Sequence, residues 1–344
     1  MSTRSELFES PFYEKLDENK LRCTLCNHRC VIVENKKGIC NVRKNVGGKL
    51  YSLNKNLFIA INIDPIEKKP LFHFLPGSFS FSLATMGCNF KCRFCQNHEI
   101  SQIEEREVVG NFFESKEIVE KAIEEGCSSI SYTYTEPTIF FETAYEIGVL
   151  ARNKGLKNIF VTNGYISKEA TLKAKEFLNA ANVDLKSFKE ETYKKYCGAT
   201  LKGVLEGIDN LLEAGCFIEI TTLIVPGVND GEDELRAIAK FIASRSKEIP
   251  WHISRFFPNY KMENCHSTPL PTIEKAFKIG KEEGLEYVYK GNVWGEGENT
   301  YCPECGALLV ERRGFEVLKN LVDNGICFSC GKKINGFFRR QNGF

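Results

Sequence analysis

At 344 residues, 42% of them hydrophobic and 26% charged, the chain is long enough to bury one large core or two and has the make-up of an ordinary globular protein. Its 46 basic and 45 acidic side chains leave a formal net charge of +1, which excludes a whole-molecule field for nucleic acid or anionic membrane. Met1 to Lys20 lacks the apolar run of a signal peptide, and no later segment offers about 18 unbroken apolar residues. The sequence therefore predicts a cytoplasmic protein with neither nucleic acid nor membrane among its partners.

Fifteen cysteines without an export signal point to metal ligation rather than disulfides. The first group, Cys23, Cys26, Cys30 and Cys40, encloses His28. Four thiolates at this spacing suit zinc, rubredoxin-like iron or an iron–sulfur cluster, and structural zinc is the preferred reading. The stretch Asp64-Pro65-Ile66-Glu67-Lys68-Lys69-Pro70 follows, with no role legible in it.

From Ser80 to Lys290, short β-rich runs alternate with longer amphipathic stretches, the rhythm of repeated βα units and a parallel sheet. Strands are predicted at Phe79 to Thr85, Ser129 to Thr133, Ile159 to Thr162, Asn182 to Leu185, Phe217 to Val225, Trp251 to Phe256 and, more weakly, Leu285 to Lys290. Helices are predicted at Ser115 to Glu125 and Asp233 to Ser244, the latter opening on acids that complement a helix N-terminus. Six or seven such units make a partial barrel, with functional groups expected on the loops after the C-terminal strand ends.

The loop after the first predicted strand carries Cys88, Cys92 and Cys95, so one short segment can wrap one metal centre. Three thiolates on an iron–sulfur cubane leave one iron without a protein ligand. The competing readings are a zinc site that borrows a fourth ligand such as His98 and a purely structural cluster. The spacing Cys-x3-Cys-x2-Cys, with Phe94 just before the last cysteine, matches the radical S-adenosylmethionine (SAM) pattern, in which the open iron chelates SAM and an injected electron splits a C–S bond. Cys127, Cys197, Cys216 and Cys265 stand alone and read as small buried hydrophobes or surface thiols.

Near the end, Cys302-Pro303-Glu304-Cys305-Gly306 and Cys327-Phe328-Ser329-Cys330-Gly331 form two knuckles with glycine after each second cysteine. Four thiolates close a tetrahedral zinc shell and leave no catalytic position, so this module is predicted to serve folding or docking. The stretch Gly291 to Asn299 before it, three glycines around Trp294 with Glu296 and Glu298, reads equally as a mobile lid or a linker.

With these motifs in hand, the chain resembles radical SAM enzymes of the pyruvate formate-lyase activase-like group, and more closely the AmmeMemoRadiSam system family. The resemblance implies an α/β fold: a partial (β/α)6 radical SAM barrel (79–291) between an N-terminal Cys-rich module (1–78) and a C-terminal zinc-ribbon-like module (292–344). It implies a 4Fe-4S cluster on Cys88, Cys92 and Cys95, with Phe94 near the adenine of SAM. Tyr134-Thr135-Glu136-Pro137 stands where the activases receive the methionyl amino group, keeping only the acid of their Gly-Gly-Glu. Thr162-Asn163-Gly164 resembles the next turn, and Asp184-Leu185-Lys186 matches the activases' Asp-Leu-Lys, which puts Asp184 near the SAM amino group and Lys186 near its carboxylate. Leu223-Ile224-Val225-Pro226-Gly227 resembles the fifth-strand exit, and His252 stands where the activases carry a histidine near the ribose. Thr135, Glu136, Thr162, Asn163, Asp184, Lys186 and His252 are thus the expected cofactor-binding set.

The resemblance further implies zinc on Cys302, Cys305, Cys327 and Cys330, zinc or iron on Cys23, Cys26, Cys30 and Cys40, and a low-potential electron donor. Memo-like and AMMECR-domain proteins are the partners it suggests, and the substrate is left open. Two other functions compete: an activase of a glycyl radical enzyme, against which the extra terminal metal modules count, and a non-enzymatic zinc-ribbon binding module, which the near-neutral charge and the three-cysteine loop oppose.

Overall fold

The computed structural model describes residues 7–104, 106–293, 295 and 297–338. Met1 to Glu6, Trp294 and Glu296 lie outside the described residues. The centre of the fold is a nine-stranded sheet: β1 (Leu57–Pro65), β2 (Phe79–Thr85), β3 (Asn111–Phe112), β4 (Ser129–Tyr132), β5 (Lys157–Thr162), β6 (Ala180–Asp184), β7 (Phe217–Ile224), β8 (Trp251–Arg255) and β9 (Val288–Gly291). Its order is β9-β8-β7-β6-β5-β4-β2-β1-β3. From β2 to β9 every neighbouring pair is parallel, whereas β1 runs antiparallel to both β2 and β3.

Helices α1 (Ser115–Glu124), α2 (Phe141–Asn153), α3 (Lys168–Ala174), α4 (Leu201–Glu213), α5 (Glu232–Arg245) and α6 (Leu270–Glu282) each fall between consecutive parallel strands. Six βα units and a closing strand follow from this, the α/β partial barrel that the alternation of the sequence predicts. Parallel neighbours require such long crossovers, because the chain must return to the same end before it re-enters the sheet.

Local chemistry sets the helix starts. Ser167 and Thr200 cap α3 and α4 by accepting the N–H groups of Ala170 and Gly203. At α1 the cap is Glu114: the Glu117 carboxylate reaches back to the Glu114 N–H (2.8 Å), a capping-box contact. α5 opens on Glu232, Asp233 and Glu234, carboxylates suited to the exposed N–H groups of its first turn.

One main core unites the barrel with the N-terminal cysteine segment, since Leu21, Leu25, Val42 and Leu50 are buried with Leu83, Ile130, Phe160, Ile220 and Trp251. A separate small core joins Phe72, Tyr287 and Tyr289 to Cys302, Leu309, Val322 and Cys327 of the C-terminal segment. Residues 66–75 supply the contact. Arg312 donates to the Phe72 carbonyl (2.7 Å) and stands 3.5 Å from Glu67 with both side chains fully buried, while Phe74 pairs with Phe337. Among the described residues no helix is long and apolar enough to cross a membrane.

Candidate active site at the C-terminal strand ends

The loop carrying Cys88, Cys92 and Cys95 leaves β2 through Gly87. That glycine has φ +102°, and a Cβ there would lie 2.9 Å from Val42 Cγ1 and 3.0 Å from the Cys40 carbonyl oxygen, so only glycine lets the loop lie this close to the N-terminal segment. The loop is then braced from the opposite side: Lys91 and Arg93 donate their N–H groups to the carbonyls of Cys197 (2.7 Å) and Tyr196 (2.9 Å). Phe90 N–H lies 3.3 Å from Cys88 Sγ, and Ser101 Oγ lies 3.2 Å from Cys95 Sγ. Burial pushes all three thiols up from their ordinary pKa, although for Cys92 the bond to the Cys197 thiol ranks first. A bound cation reverses that preference, because thiolate ligation releases the protons. The loop thus fits a three-thiolate cluster: three soft donors on one short turn, with amide and hydroxyl groups turned toward sulfur.

The spacing gives Cys197 no role, yet its thiol lies near enough to Cys92 to push the Cys92 pKa up. Spacing could not reveal this, because the two are brought together by the turn after Lys189, not by a motif.

The strand ends around this loop assemble most of the predicted residues. Lys186 Nζ binds Asp184 Oδ2 (2.8 Å) just past β6. Burial alone would lower the pKa of Lys186, but Asp184 and the thiols of Cys92 and Cys197 raise it well above the ordinary lysine value. Lys186 is therefore a fixed cation beside the cluster loop. Asn229, in the turn after β7, donates to the Lys186 carbonyl (2.6 Å) and the Leu223 carbonyl (2.8 Å), a positioning contact that only three dimensions reveal.

Glu136 is buried and ties the ends of β4 and β5 together. Its Oε1 accepts from Thr138 Oγ1 (2.6 Å), Thr138 N (3.0 Å) and Thr162 Oγ1 (2.7 Å), while Oε2 accepts from Asn163 N (2.8 Å). Burial raises its pKa, partly offset by those donors. A ligand ammonium would have to share Oε2, the less occupied oxygen. Asn163 Nδ2 donates to Asn89 Oδ1 (2.8 Å) and lies 4.0 Å from Cys88 Sγ. Thr135 Oγ1 donates to the Thr85 carbonyl (2.9 Å), and Phe94 is buried in the main core.

His252 sits apart from these. Its Nε2 contacts Glu219 Oε2 (2.6 Å), and its ring lies against Phe72 and Tyr289. Glu219 also accepts the N–H groups of Phe72 and His73, so this network anchors the 66–75 segment inside the barrel. The Asp64–Pro70 stretch, silent as sequence, has a place as well. Lys69 Nζ binds Asp64 (2.6 Å) and lies 4.5 Å from the centre of the Tyr134 ring, and Tyr134 donates its hydroxyl to Asp64. Burial pulls the pKa of Lys69 down to about 8, against the pull of Asp64.

A broad cleft of about 800 Å3, lined by His98, Glu99, Gln102, Glu104, Arg106 and Tyr260, borders the short helix that follows Cys95. His98, the alternative fourth ligand, is stacked on Tyr260 at 4.4 Å.

The terminal cysteine sets differ from each other. Cys302 and Cys330 bring their sulfurs to 3.6 Å, Cys305 and Cys327 theirs to 3.7 Å, and all four lie within 4.8 Å of one another. Among the described residues no other His, Cys, Asp or Glu group of three or more is so compact. Cys23, Cys26, Cys30 and Cys40 instead line a cleft with Arg43, Asn89, Thr138 and Ile139. Lys290 N–H donates to the Gly297 carbonyl (3.1 Å), which brings Gly297 back against β9.

A six-unit partial barrel with three cysteines on the first strand exit defines a class of metal-dependent α/β enzymes. The family model of the radical SAM superfamily matches residues 83–242, and a GTP 3',8-cyclase of Nautilia profundicola is 30% identical over 247 residues, 67% of this chain and 77% of that protein. The chain belongs to the radical SAM superfamily, and with that membership go SAM and a 4Fe-4S cluster. An uncharacterized protein of Methanocaldococcus jannaschii is 47% identical over 331 residues, 95% of this chain and 98% of that one. Among solved structures, Streptococcus suis SuiB bound to S-adenosylmethionine is similar with a TM-score of 0.49 and 15% identity, over 66% of this chain and 53% of that one.

Proposed function

We propose that the protein reductively cleaves SAM to methionine and a 5'-deoxyadenosyl radical, which abstracts hydrogen from a substrate in a pathway shared with Memo-like and AMMECR-domain proteins. A 4Fe-4S cluster on Cys88, Cys92 and Cys95 supplies the electron and the open iron when bound. The observation that carries the reading is the Asp184–Lys186 pair, which lies at 2.8 Å and whose ammonium interacts with Cys92: it offers opposite charges to the amino and carboxylate groups of a methionyl moiety at the edge of a three-thiolate loop.

In this reading Lys186 holds the carboxylate, Asp184 the ammonium, and Phe94 the adenine. Thr135, Glu136, Thr162 and Asn163 fix the walls of the SAM site, with Asn163 linking its own turn to Asn89 beside Cys88. His252, second in β8, acts through Glu219 at the N-terminal ends of the strands, where the pair holds the 66–75 segment. The 66–75 plug keeps the far end of the barrel dry, which protects a radical from side reactions. A low-potential donor delivers the electron, and the cytoplasm provides a reducing setting. The C-terminal module carries structural zinc, since a tetrahedron with bonds of ~2.3 Å has edges of ~3.8 Å, close to the sulfur separations of 3.6 and 3.7 Å.

Anaerobically reconstituted protein incubated with SAM and dithionite is expected to form 5'-deoxyadenosine and methionine, and Cys92→Ala to form neither. Full-length reconstituted protein that leaves SAM intact would reject the proposal.

A further inference from the structure

Spacing alone leaves zinc, rubredoxin-like iron and an iron–sulfur cluster open at the N-terminal cysteines, with zinc preferred, and the geometry points to the last: we propose that Cys23, Cys26, Cys30 and Cys40 hold a second iron–sulfur cluster, directly behind the loop of the first. The structure contains its own standard for a mononuclear site. At Cys302, Cys305, Cys327 and Cys330 the four sulfurs close to within 4.8 Å of one another, with contacts of 3.6 and 3.7 Å. Among the described residues, neither the N-terminal four nor Cys88, Cys92 and Cys95 form a group of that compactness. Like the three cysteines of the cluster loop, the N-terminal four are not gathered into the tight tetrahedron of the C-terminal knuckles. They still form one set, because all four line a single narrow cleft.

The rest of the lining suits an anionic sulfide cluster. Leu25, Ile32, Ile39 and Ile139 make the walls apolar. Arg43, buried to 1% exposure, keeps two nitrogens on Glu142 and leaves its Nε without a partner. Asn89 is fully buried with its Nδ2 likewise unpartnered. Both belong to the lining, so two orphaned donors border the space that bridging sulfides would fill, and a buried donor left unpaired is costly. His28, the other potential ligand, is turned away: its Nε2 lies 2.7 Å from the Asn89 carbonyl oxygen.

The position gives the cluster its use. Asn89 follows Cys88 in the chain, and the Cys40 carbonyl would stand 3.0 Å from a Cβ at Gly87, so the two sets share a wall. Four thiolates claim every iron of the second cluster and leave none for SAM. It is a one-electron carrier, taking an electron from a low-potential donor and passing it to the cluster on Cys88, Cys92 and Cys95.

The test uses the full chain with Cys88, Cys92 and Cys95 all replaced by alanine, reconstituted anaerobically with iron and sulfide. Iron and acid-labile sulfide retained in equal amounts, and lost when Cys23→Ala and Cys26→Ala are added, is the expected result. Zinc alone, a single iron without sulfide, or iron–sulfide that survives the added substitutions would overturn the proposal. Should the triple variant fail to fold, Mössbauer spectra and zinc content of the wild-type chain decide: two clusters' worth of iron with one zinc supports it, and one cluster's worth with two zincs refutes it. Neither result depends on SAM cleavage, so the proposal and the enzymatic reading fail separately.

Discussion

Replacing Gly87 by alanine tests how closely the cluster loop is seated on the N-terminal segment. The residue has φ +102°, and a Cβ would meet Val42 Cγ1 at 2.9 Å, the Cys40 carbonyl oxygen at 3.0 Å and Ile139 Cδ1 at 3.3 Å. The backbone conformation alone costs an alanine roughly 1–2 kcal/mol. Pressing the methyl into a filled space adds about 1–3 kcal/mol, since the Cys40 carbonyl belongs to a backbone held by its own turn and cannot swing aside like a side-chain tip. The two combine to roughly 2–5 kcal/mol of lost stability. Denaturant unfolding of the metal-free chain followed by circular dichroism measures it, with iron retention of the reconstituted variant as a second readout. Gly87→Ala unfolding within about 0.5 kcal/mol of wild type, the range of a neutral surface change, would mean that the loop and the N-terminal segment are not in contact.

Four further outcomes follow from the same geometry. Lys186→Met removes the ammonium that pairs with Asp184 and should weaken SAM binding by roughly 10- to 100-fold, as expected for a charge-assisted hydrogen bond; unchanged affinity in equilibrium dialysis would remove Lys186 from the site. Cys197→Ala should still form 5'-deoxyadenosine, because Cys197 is a neighbour of Cys92 and not a fourth ligand; loss of iron from that variant would contradict this. His73 is fully buried, and burial pulls its pKa down to about 4 against the opposing pull of Glu219. The unfolded chain then binds the extra proton between about pH 6.5 and 4 while the folded chain does not, so stability falls by up to about 3 kcal/mol as pH drops through that window, and His73→Gln should flatten the slope in denaturant titrations at pH 7 and 5. Cys305→Ser should lose the C-terminal metal and expose the Phe72–Tyr289 face, seen as new proteolytic cleavage beyond Asn299 while the barrel persists.

The parallel barrel was legible because buried parallel strands write themselves as apolar β-branched runs between amphipathic helices; Phe79–Thr85 and Trp251–Arg255 start where the pattern starts. β1 escaped notice: Leu57–Pro65 has several half-exposed positions, and nothing local says that it will pair antiparallel with β2. Local motifs marked Cys88, Cys92, Cys95, Asp184 and Lys186, whose neighbours in sequence are also their neighbours in space. Glu136 was found as an acid, but two of its four donors, Thr162 Oγ1 and Asn163 N, come from the turn after β5 and could not be read. Cys197, Asn229 and the Glu219–His252 pair depend on contacts across strands, for which one sequence offers no signal. The two terminal four-cysteine sets look alike as spacings and differ as cradles, because spacing records the order of ligands and not the separation of their sulfurs.

The central claim is an iron that the protein leaves unligated for SAM. Mössbauer spectra of anaerobically prepared, 57Fe-enriched protein, recorded with and without SAM, test it most directly. One iron site of the cluster on Cys88, Cys92 and Cys95 should change its parameters on SAM addition while the others hold. Spectra that SAM leaves unaltered would contradict it.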